Sequence, residues 1–182
     1  DPTNDVCGSD AARKLAILSS IGFRANVTFD DVLVEGIEKI DKSDIQYAKD
    51  MGYTIKLLTV ALRQENGIAL NVYPAFLPDN HPLSSVKGAY NAIYVTGNIV
   101  DDVMFYGRGA GALPTASAVM GDVISTAQHI LNGSTGTGMI MTDTKRIPFY
   151  SSLKLQNSYY FRLDVDDVTG VLSQIAAAFA EN

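Results

Sequence analysis

Two carboxylates and one ammonium lie close together at the start of the sequence. Asp10 and Lys14 are four residues apart in a segment with helical periodicity, so their side chains share one face of a predicted helix. Asp5 precedes that helix in a polar stretch that could fold back over the same helix end. Such a set could hold an amine or a hydroxyl, and a lysine in a closed site could transfer a proton. From the spacing alone, an ordinary ion pair on the surface of a helix is the favoured interpretation.

A glycine-rich run is the second candidate for chemistry. Gly107-Arg108-Gly109-Ala110-Gly111 follows a predicted strand and precedes a predicted helix, where free N–H groups can bind phosphate. However, the spacing is G-x-G-x-G, and no acidic residue followed by a strand stands about 20 positions beyond it. The run by itself therefore favours a structural tight turn.

Composition excludes several classes of function. The 182 residues carry a formal net charge of −6, which argues against nucleic acid as the main partner. Cys7 is the single cysteine, and His81 and His129 are far apart, so we expect no disulfide within the chain and no metal site. No apolar run reaches the roughly 18 residues of a membrane span, and the opening DPTND lacks the pattern of a secretion signal. These features predict a cytoplasmic protein, and the missing initial Met suggests a piece of a longer one.

The pattern along the chain predicts an α/β fold, in which a mixed β-sheet from the middle strands is covered on one face by two helices. The covering helices are at 10–23, with Asp10 as N-cap, and at 41–52, with Ser43 as a possible cap. Asn66-Gly67 is a hairpin signal. The remaining predicted elements are strands at 32–40, 53–63, 68–76, 91–95, 101–106 and 159–165, and helices at 114–131 and 170–180.

The opening residues resemble a known signature. All seven specified positions of the homoserine dehydrogenase pattern are matched by Asp1-Pro2-x-x-Asp5-Val6-x-Gly8-x-Asp10-x-x-x-Lys14. The resemblance continues in Val34-Glu35-Gly36-Ile37 and in the segment 105–122. It covers residues 1–131, and residues 158–182 are similar to the start of an ACT domain.

The resemblance implies an NAD(P)-dependent oxidoreductase that interconverts L-homoserine and L-aspartate 4-semialdehyde, in threonine, methionine and isoleucine biosynthesis. It makes Lys14 the catalytic residue that moves the hydroxyl proton, and it makes Asp5 and Asp10 substrate ligands. Gly109 and Gly111 become contacts to the cofactor, NADP or NAD. The domain that holds most of this cofactor precedes the first residue here, so we expect the chain alone to be inactive.

The resemblance also implies a domain organisation. Residues 1–131 correspond to a catalytic and dimerisation domain, 132–157 to a linker, and 158–182 to the truncated start of an ACT regulatory domain, a partial βα unit. A homodimer is therefore expected, with control by an end-product amino acid in the full-length protein. Without the missing domain, the helix at 114–131 is expected to lack part of its support.

Two alternatives remain open. The chain could be a non-catalytic dimerisation and amino-acid-binding module of the same architecture, or a different amino-acid dehydrogenase with a related layout. The importance of Lys14 for turnover distinguishes the catalytic from the binding interpretation. Nucleotide preference, the effector, a metal-ion requirement and fusion to an aspartate kinase are properties that this sequence does not determine.

Overall fold

The computed structural model describes residues 3–134, 147–150 and 156–180. Its helices are α1 (Thr3–Val6), α2 (Ser9–Phe23), α3 (Lys42–Asp50), α4 (Ala112–Leu131) and α5 (Val171–Ala180). Its strands are β1 (Leu33–Val34), β2 (Tyr53–Gln64), β3 (Gly67–Pro78), β4 (Tyr90–Gly97) and β5 (Asp101–Arg108). Short 3-10 helices occur at Phe29–Asp31 and Pro82–Ser85.

A mixed three-stranded sheet in the order β1-β3-β2 forms the centre of the fold. β2 and β3 are an antiparallel hairpin whose ends meet at Gln64 and Gly67, so the predicted hairpin at Asn66-Gly67 is confirmed. β1 pairs with β3 in parallel, which makes the sheet mixed and confirms the α/β class. β4 and β5 do not join it, but form an antiparallel sheet of their own.

Helix α2 packs its small residues against the central sheet. Ala12, Leu15 and Ala16 are buried, and they share one apolar cluster with Ile68 and Val72 of β3. Complete burial of an Ile or Val side chain contributes about 1.5–3 kcal/mol, so this contact is a main source of stability. α2 is thereby held rigidly on the sheet that supports it.

The strand predicted at 32–40 is much shorter than expected. Only Leu33–Val34 pairs with β3, and the chain then bends so that the N–H of Ile37 donates to the carbonyl of Val6 at 2.9 Å. Because these backbone groups bond to the segment before α2, they cannot continue the ladder with β3. The prediction of a long strand at 32–40, made from the alternating apolar pattern, is therefore wrong.

Two predicted helix caps are also corrected. α2 begins after Gly8, with Asp10 in its first turn, so Asp10 is not the N-cap. α3 is capped by Asp41, whose carboxylate accepts from the N–H groups of Ser43 and Asp44. Ser43 lies one position too late to act as the cap, although its hydroxyl donates to the same carboxylate.

The C-terminal part of the chain forms one of its two predicted elements. Helix α5 is present, but residues 159–165 form no strand, because none of the described segments pairs with them. Most of the predicted linker, at 135–146 and 151–155, lies outside the described residues. Between these gaps, the carbonyl of Pro148 accepts from Ile68 at 3.0 Å and the N–H of Tyr150 donates to Ile68 at 2.8 Å.

A second attachment joins the C-terminal segment to α3. Arg162 places Nη2 2.6 Å from Asp41 Oδ2 and Nε 3.3 Å from Asp44 Oδ1. The ring of Tyr160 stacks on Phe76 with centroids 4.7 Å apart. The hydrogen bond from Arg162, with smaller contributions from Ser43 and Asp44, holds the pKa of Asp41 well below its usual range. Residues 160–162 are thus fixed to α3 and to the end of β3.

Helix α4 contrasts with α2, since none of its residues is buried. Leu113, Val123, Ile130 and Leu131 are among its exposed apolar side chains. No helix in the described ranges has the length and apolar character needed to cross a membrane.

The attachment of residues 160–162 can be tested by replacing its cation. We expect Arg162→Ala to accelerate chymotrypsin cleavage at residues 159–161 and to leave β2 and β3 intact, because the ion pairs with α3 are lost. High salt should act on the wild type in the same direction, since exposed charges are screened. Arg63→Ala, at an exposed position of β2, is the matched control and should leave this cleavage unchanged.

Acid should release the same attachment. The pKa of Asp41 is lowered in the folded protein, so its contribution is fully present above the ordinary value of 3.8 and is lost as the pH falls further. Asp41→Asn retains a good capping residue but removes the charge. We expect chymotrypsin at pH 7 to cleave this variant at residues 159–161 faster than wild type but more slowly than Arg162→Ala, because the pair of Arg162 with Asp44 remains. A wild-type cleavage rate in the variant would contradict the assignment.

Candidate active site

The predicted site is built around the turn between α1 and α2. Gly8 occupies this turn in the left-handed region, with φ +81°, which glycine adopts without a steric cost. It is buried, and a Cβ at this position would lie 3.1 Å from side-chain atoms of both Val34 and Val72. Glycine therefore satisfies two demands here, the turn itself and the close approach to the sheet.

Asp10 and Lys14 are in direct contact. The Nζ of Lys14 lies 2.6 Å from Oδ2 of Asp10, one helical turn earlier on α2. The side chain of Lys14 is 60% exposed and that of Asp10 is 43% exposed, so the pair is open to solvent and to a small ligand. Asp10 also lies in the first turn of α2, where a negative charge interacts favourably with the helix dipole.

Asp5 lies on the helix that precedes this pair. It belongs to α1, which contacts α2, and it is exposed. No hydrogen bond or ion pair joins its carboxylate to Asp10 or Lys14. The structure thus shows a bonded pair on α2 and a separate carboxylate on the preceding helix α1.

A cavity along α2 is a different feature. It has a volume of about 360 Å³ and is lined mainly by apolar residues, among them Ile17, Ile21 and Phe29. None of Asp5, Asp10 and Lys14 lines it. The partly exposed Asp10–Lys14 pair lies outside this cavity.

The glycine-rich run connects β5 to α4. Gly111 is the N-cap of α4 with φ +126°, and no side chain caps this helix start. The first N–H groups of α4 are consequently available to an anion such as a nucleotide phosphate, although Pro114 lacks one of these donors. A Cβ at Gly109 would overlap the side-chain amide of Asn91, which would have to move to admit it. The residues at this helix start fit a contact to a dinucleotide.

The two candidate sets lie on different parts of the fold. Asp10 and Lys14 lie on α2, the helix that packs on the central sheet. Gly109 and Gly111 lie between β5 and α4. No hydrogen bond or ion pair connects the sets. Within the described ranges, no group of three or more His, Cys, Asp or Glu is arranged to hold a metal ion.

One polar cluster was missed by the sequence analysis. Asp102 accepts a hydrogen bond from the hydroxyl of Thr96 at 2.7 Å, and its bond to Tyr94 raises the pKa of that tyrosine. The ring of His81 lies 5.2 Å from the Tyr94 ring. The register of the β4–β5 hairpin would have revealed the first contact, because Thr96 and Asp102 are directly opposite each other.

Comparison with known proteins agrees with the signature. A family model for homoserine dehydrogenase matches residues 1–124. The homoserine dehydrogenase of Bacillus subtilis is 41% identical over 181 residues, and that of Corynebacterium glutamicum is 42% identical over 186 residues. Each match covers 100% of this chain but only 42% and 41% of the two relatives. The chain thus spans less than half the length of the curated relatives it matches.

Solved structures agree with this assignment. The crystal structure of a homoserine dehydrogenase from Thiobacillus denitrificans superimposes with a TM-score of 0.88 at 36% identity, over 100% of this chain and 43% of that one. A hyperthermophilic archaeal homoserine dehydrogenase mutant, solved in complex with NADPH, gives a TM-score of 0.54 at 27% identity, over 70% of this chain and 35% of that one. The fold and the signature define part of a dehydrogenase. The chain belongs to the homoserine dehydrogenase family, as the resemblance indicated.

The turn at Gly8 gives a stability prediction. Gly8→Ala should lower the free energy of unfolding by roughly 1–3 kcal/mol, because alanine is strained at this positive φ and its Cβ would press on Val34 and Val72. Gly22→Ala is the control, since Gly22 lies in α2, the helix that follows this turn, with open space around it. It should change stability by less than about 1 kcal/mol, in the stabilising direction. Urea unfolding of both variants measures the difference, and equal effects would contradict this account.

Proposed function

We propose that the protein containing this chain is an NAD(P)-dependent oxidoreductase that interconverts L-homoserine and L-aspartate 4-semialdehyde. The observation that carries the proposal is the Asp10–Lys14 contact at 2.6 Å, set inside the complete signature of a chain that belongs to this family. Membership of the family supports the reaction, and the bonded pair supplies groups suited to its proton step.

Lys14 is proposed to move the proton of the substrate hydroxyl. Its ammonium can donate to an oxygen that gains negative charge, and the neutral amine can take the proton in the reverse direction. Asp10 holds Nζ in place through the ion pair, and the rigid packing of α2 fixes both side chains relative to the sheet. Lys14 therefore also contacts the substrate in this proposal.

Asp5 and Asp10 are proposed to bind the amine and hydroxyl end of the amino-acid substrate. Both carboxylates are exposed on adjacent helices, and the Gly8 turn between them sets their separation. Two carboxylates beside one ammonium leave a small net negative charge, which attracts an ammonium group. This arrangement would orient the substrate so that its hydroxyl lies at Lys14.

The cofactor is proposed to be NADP or NAD, which when bound accepts or supplies the hydride. Most of it would be held by the N-terminal part of the full-length protein. Gly109 and Gly111 are the contacts that this chain would provide, supported by the uncapped start of α4. The exposed apolar side chains of α4 would pack against that N-terminal part.

The remaining properties are proposed for the full-length protein. It would act in the cytoplasm as a homodimer, in threonine, methionine and isoleucine biosynthesis. Residues 1–131 would form its catalytic and dimerisation domain, 132–157 a linker, and 158–182 the start of an ACT domain through which an end-product amino acid acts.

Replacement of Lys14 in the full-length protein tests the proposed reaction. We expect Lys14→Ala to lower kcat for homoserine oxidation about 10²- to 10⁴-fold, because the proton step loses its donor and acceptor. Lys14→Arg keeps the positive charge but cannot release a proton at neutral pH, so it should remain impaired. Turnover is followed by the absorbance of the reduced nucleotide.

Lys49→Ala, in the last turn of α3, is the matched control and should retain kcat within about twofold. Near-normal turnover in Lys14→Ala would refute the catalytic role. It would favour the non-catalytic binding module, in which the exposed Asp10–Lys14 pair serves only as a surface contact.

The division of the active site between two parts of the protein gives a further prediction. The isolated 182-residue chain should show no measurable reduction of aspartate semialdehyde by NADPH, because most of the nucleotide site is elsewhere. It should still sediment as a dimer at tens of micromolar. Detectable turnover would contradict the shared site, and a monomer would contradict the proposed dimerisation through this region.

A further inference from the structure

The segment Glu35–Ile37 connects the central sheet to the turn that carries the candidate site. The N–H of Glu35 donates to the carbonyl of Val72 at 2.8 Å, on β3. Two residues later, the N–H of Ile37 donates to the carbonyl of Val6 at 2.9 Å. Val6 directly follows Asp5, so this segment fixes the backbone beside one proposed substrate ligand to the strand below it.

Gly36, in the middle of this segment, touches the backbone between α1 and α2. A Cβ at Gly36 would lie 2.5 Å from the carbonyl oxygen of Val6 and 2.8 Å from Cα of Cys7. Real Cβ atoms essentially never approach another atom within 3.0 Å, and backbone atoms cannot turn aside as a flexible side chain can. The φ of Gly36 lies outside the positive range reserved for glycine, so space rather than conformation demands glycine here.

The backbone that Gly36 contacts is the covalent connection between the two halves of the proposed site. Asp5 lies before it on α1, and Asp10 and Lys14 lie after it on α2. From the sheet side, Gly8 rests against Val34 and Val72. The turn is therefore held between the sheet and the Glu35–Ile37 segment, and it has little room to move.

We propose that Gly36 is a positioning residue, which sets the distance between Asp5 and the Asp10–Lys14 pair by holding the turn from Val6 to Gly8 against the sheet. This inference rests on the proposed function and assigns a cause to the geometry of that site. Gly36 itself need not touch the substrate, because it acts through the backbone of Val6 and Cys7.

The size of the effect follows from the contact distance. An alanine at Gly36 must move the Val6 carbonyl from 2.5 Å to about 3.4 Å, the start of ordinary van der Waals contact. Misplacement by about 1 Å at a reacting centre can lower the rate about a hundredfold. The displacement would act on Asp5 relative to α2, since α2 is held by its own packing on the sheet.

Gly36→Ala in the full-length protein tests the proposal. We expect kcat/KM for homoserine to fall about ten- to a hundredfold, while the KM for the nucleotide stays within twofold. Gly22→Ala, in α2 with open space around it, is the matched control and should keep both parameters. A kcat/KM for homoserine within twofold of wild type in Gly36→Ala would overturn the proposal.

The same assays separate this inference from the proposed function. Loss of turnover in Lys14→Ala together with normal turnover in Gly36→Ala would refute the role of Gly36 alone. A wild-type protein without homoserine turnover would refute the proposed function, and the role of Gly36 would be refuted with it.

A double variant identifies the contact that matters. The carboxylate of Glu38 also lies 2.5 Å from the position of a Cβ at Gly36. If this flexible side chain caused the loss, Gly36→Ala combined with Glu38→Ala would recover turnover. We expect no recovery, because the Val6 and Cys7 backbone atoms remain in place, and full recovery would overturn the proposal.

A measurement on the unmodified protein covers the case in which Gly36→Ala fails to fold. The Ile37 amide, bonded to Val6, should be protected from hydrogen exchange, and homoserine with oxidised nucleotide should slow its exchange at least threefold. The Gly52 amide, bonded to Lys49 at 3.1 Å beyond α3, is the internal control and should not respond. An Ile37 amide whose exchange is unchanged by these ligands would overturn the role of the segment in positioning the site.

Discussion

The packing of α2 on the central sheet is the interaction on which the rest of the described structure depends. Small residues at its inner face let the helix approach the sheet closely, and Leu15 shares one buried cluster with the fully buried Ile68 and Val72. The opposite face of α2 is thereby fixed in direction, and it carries Asp10 and Lys14. A buried apolar contact thus determines where two charged groups stand, although neither takes part in that contact.

The sequence predicted well those features that depend on neighbouring residues. The contact of Asp10 with Lys14 follows from the four-residue spacing in a helix, and the β2–β3 hairpin follows from Asn66-Gly67 between two β-rich runs. The signature at the start of the chain also led to the correct family. The roles assigned to Lys14, Asp5, Asp10, Gly109 and Gly111 stay predictions, because they concern a substrate and a cofactor.

The features that sequence patterns missed depend on distant partners. The apolar alternation of 32–40 could not reveal that the Ile37 amide bonds to Val6. A strand at 159–165 requires a neighbouring strand, which none of the described segments provides. The hydroxyl of Tyr160 donates a hydrogen bond to Asp44, which is 116 positions away in the sequence, so no local pattern predicts this contact. In each case the partner that decides the structure lies outside the short stretch of sequence that shows the pattern.

The return of the chain to β3 has a consequence for how the molecule is connected. Pro148 and Tyr150 bond to Ile68, so the backbone from Ile68 to Tyr150 forms a loop whose ends are joined by hydrogen bonds. β4, β5 and α4 all lie inside this loop. A single peptide-bond cleavage among them would leave the segments on both sides joined to each other by the hydrogen bonds at Ile68.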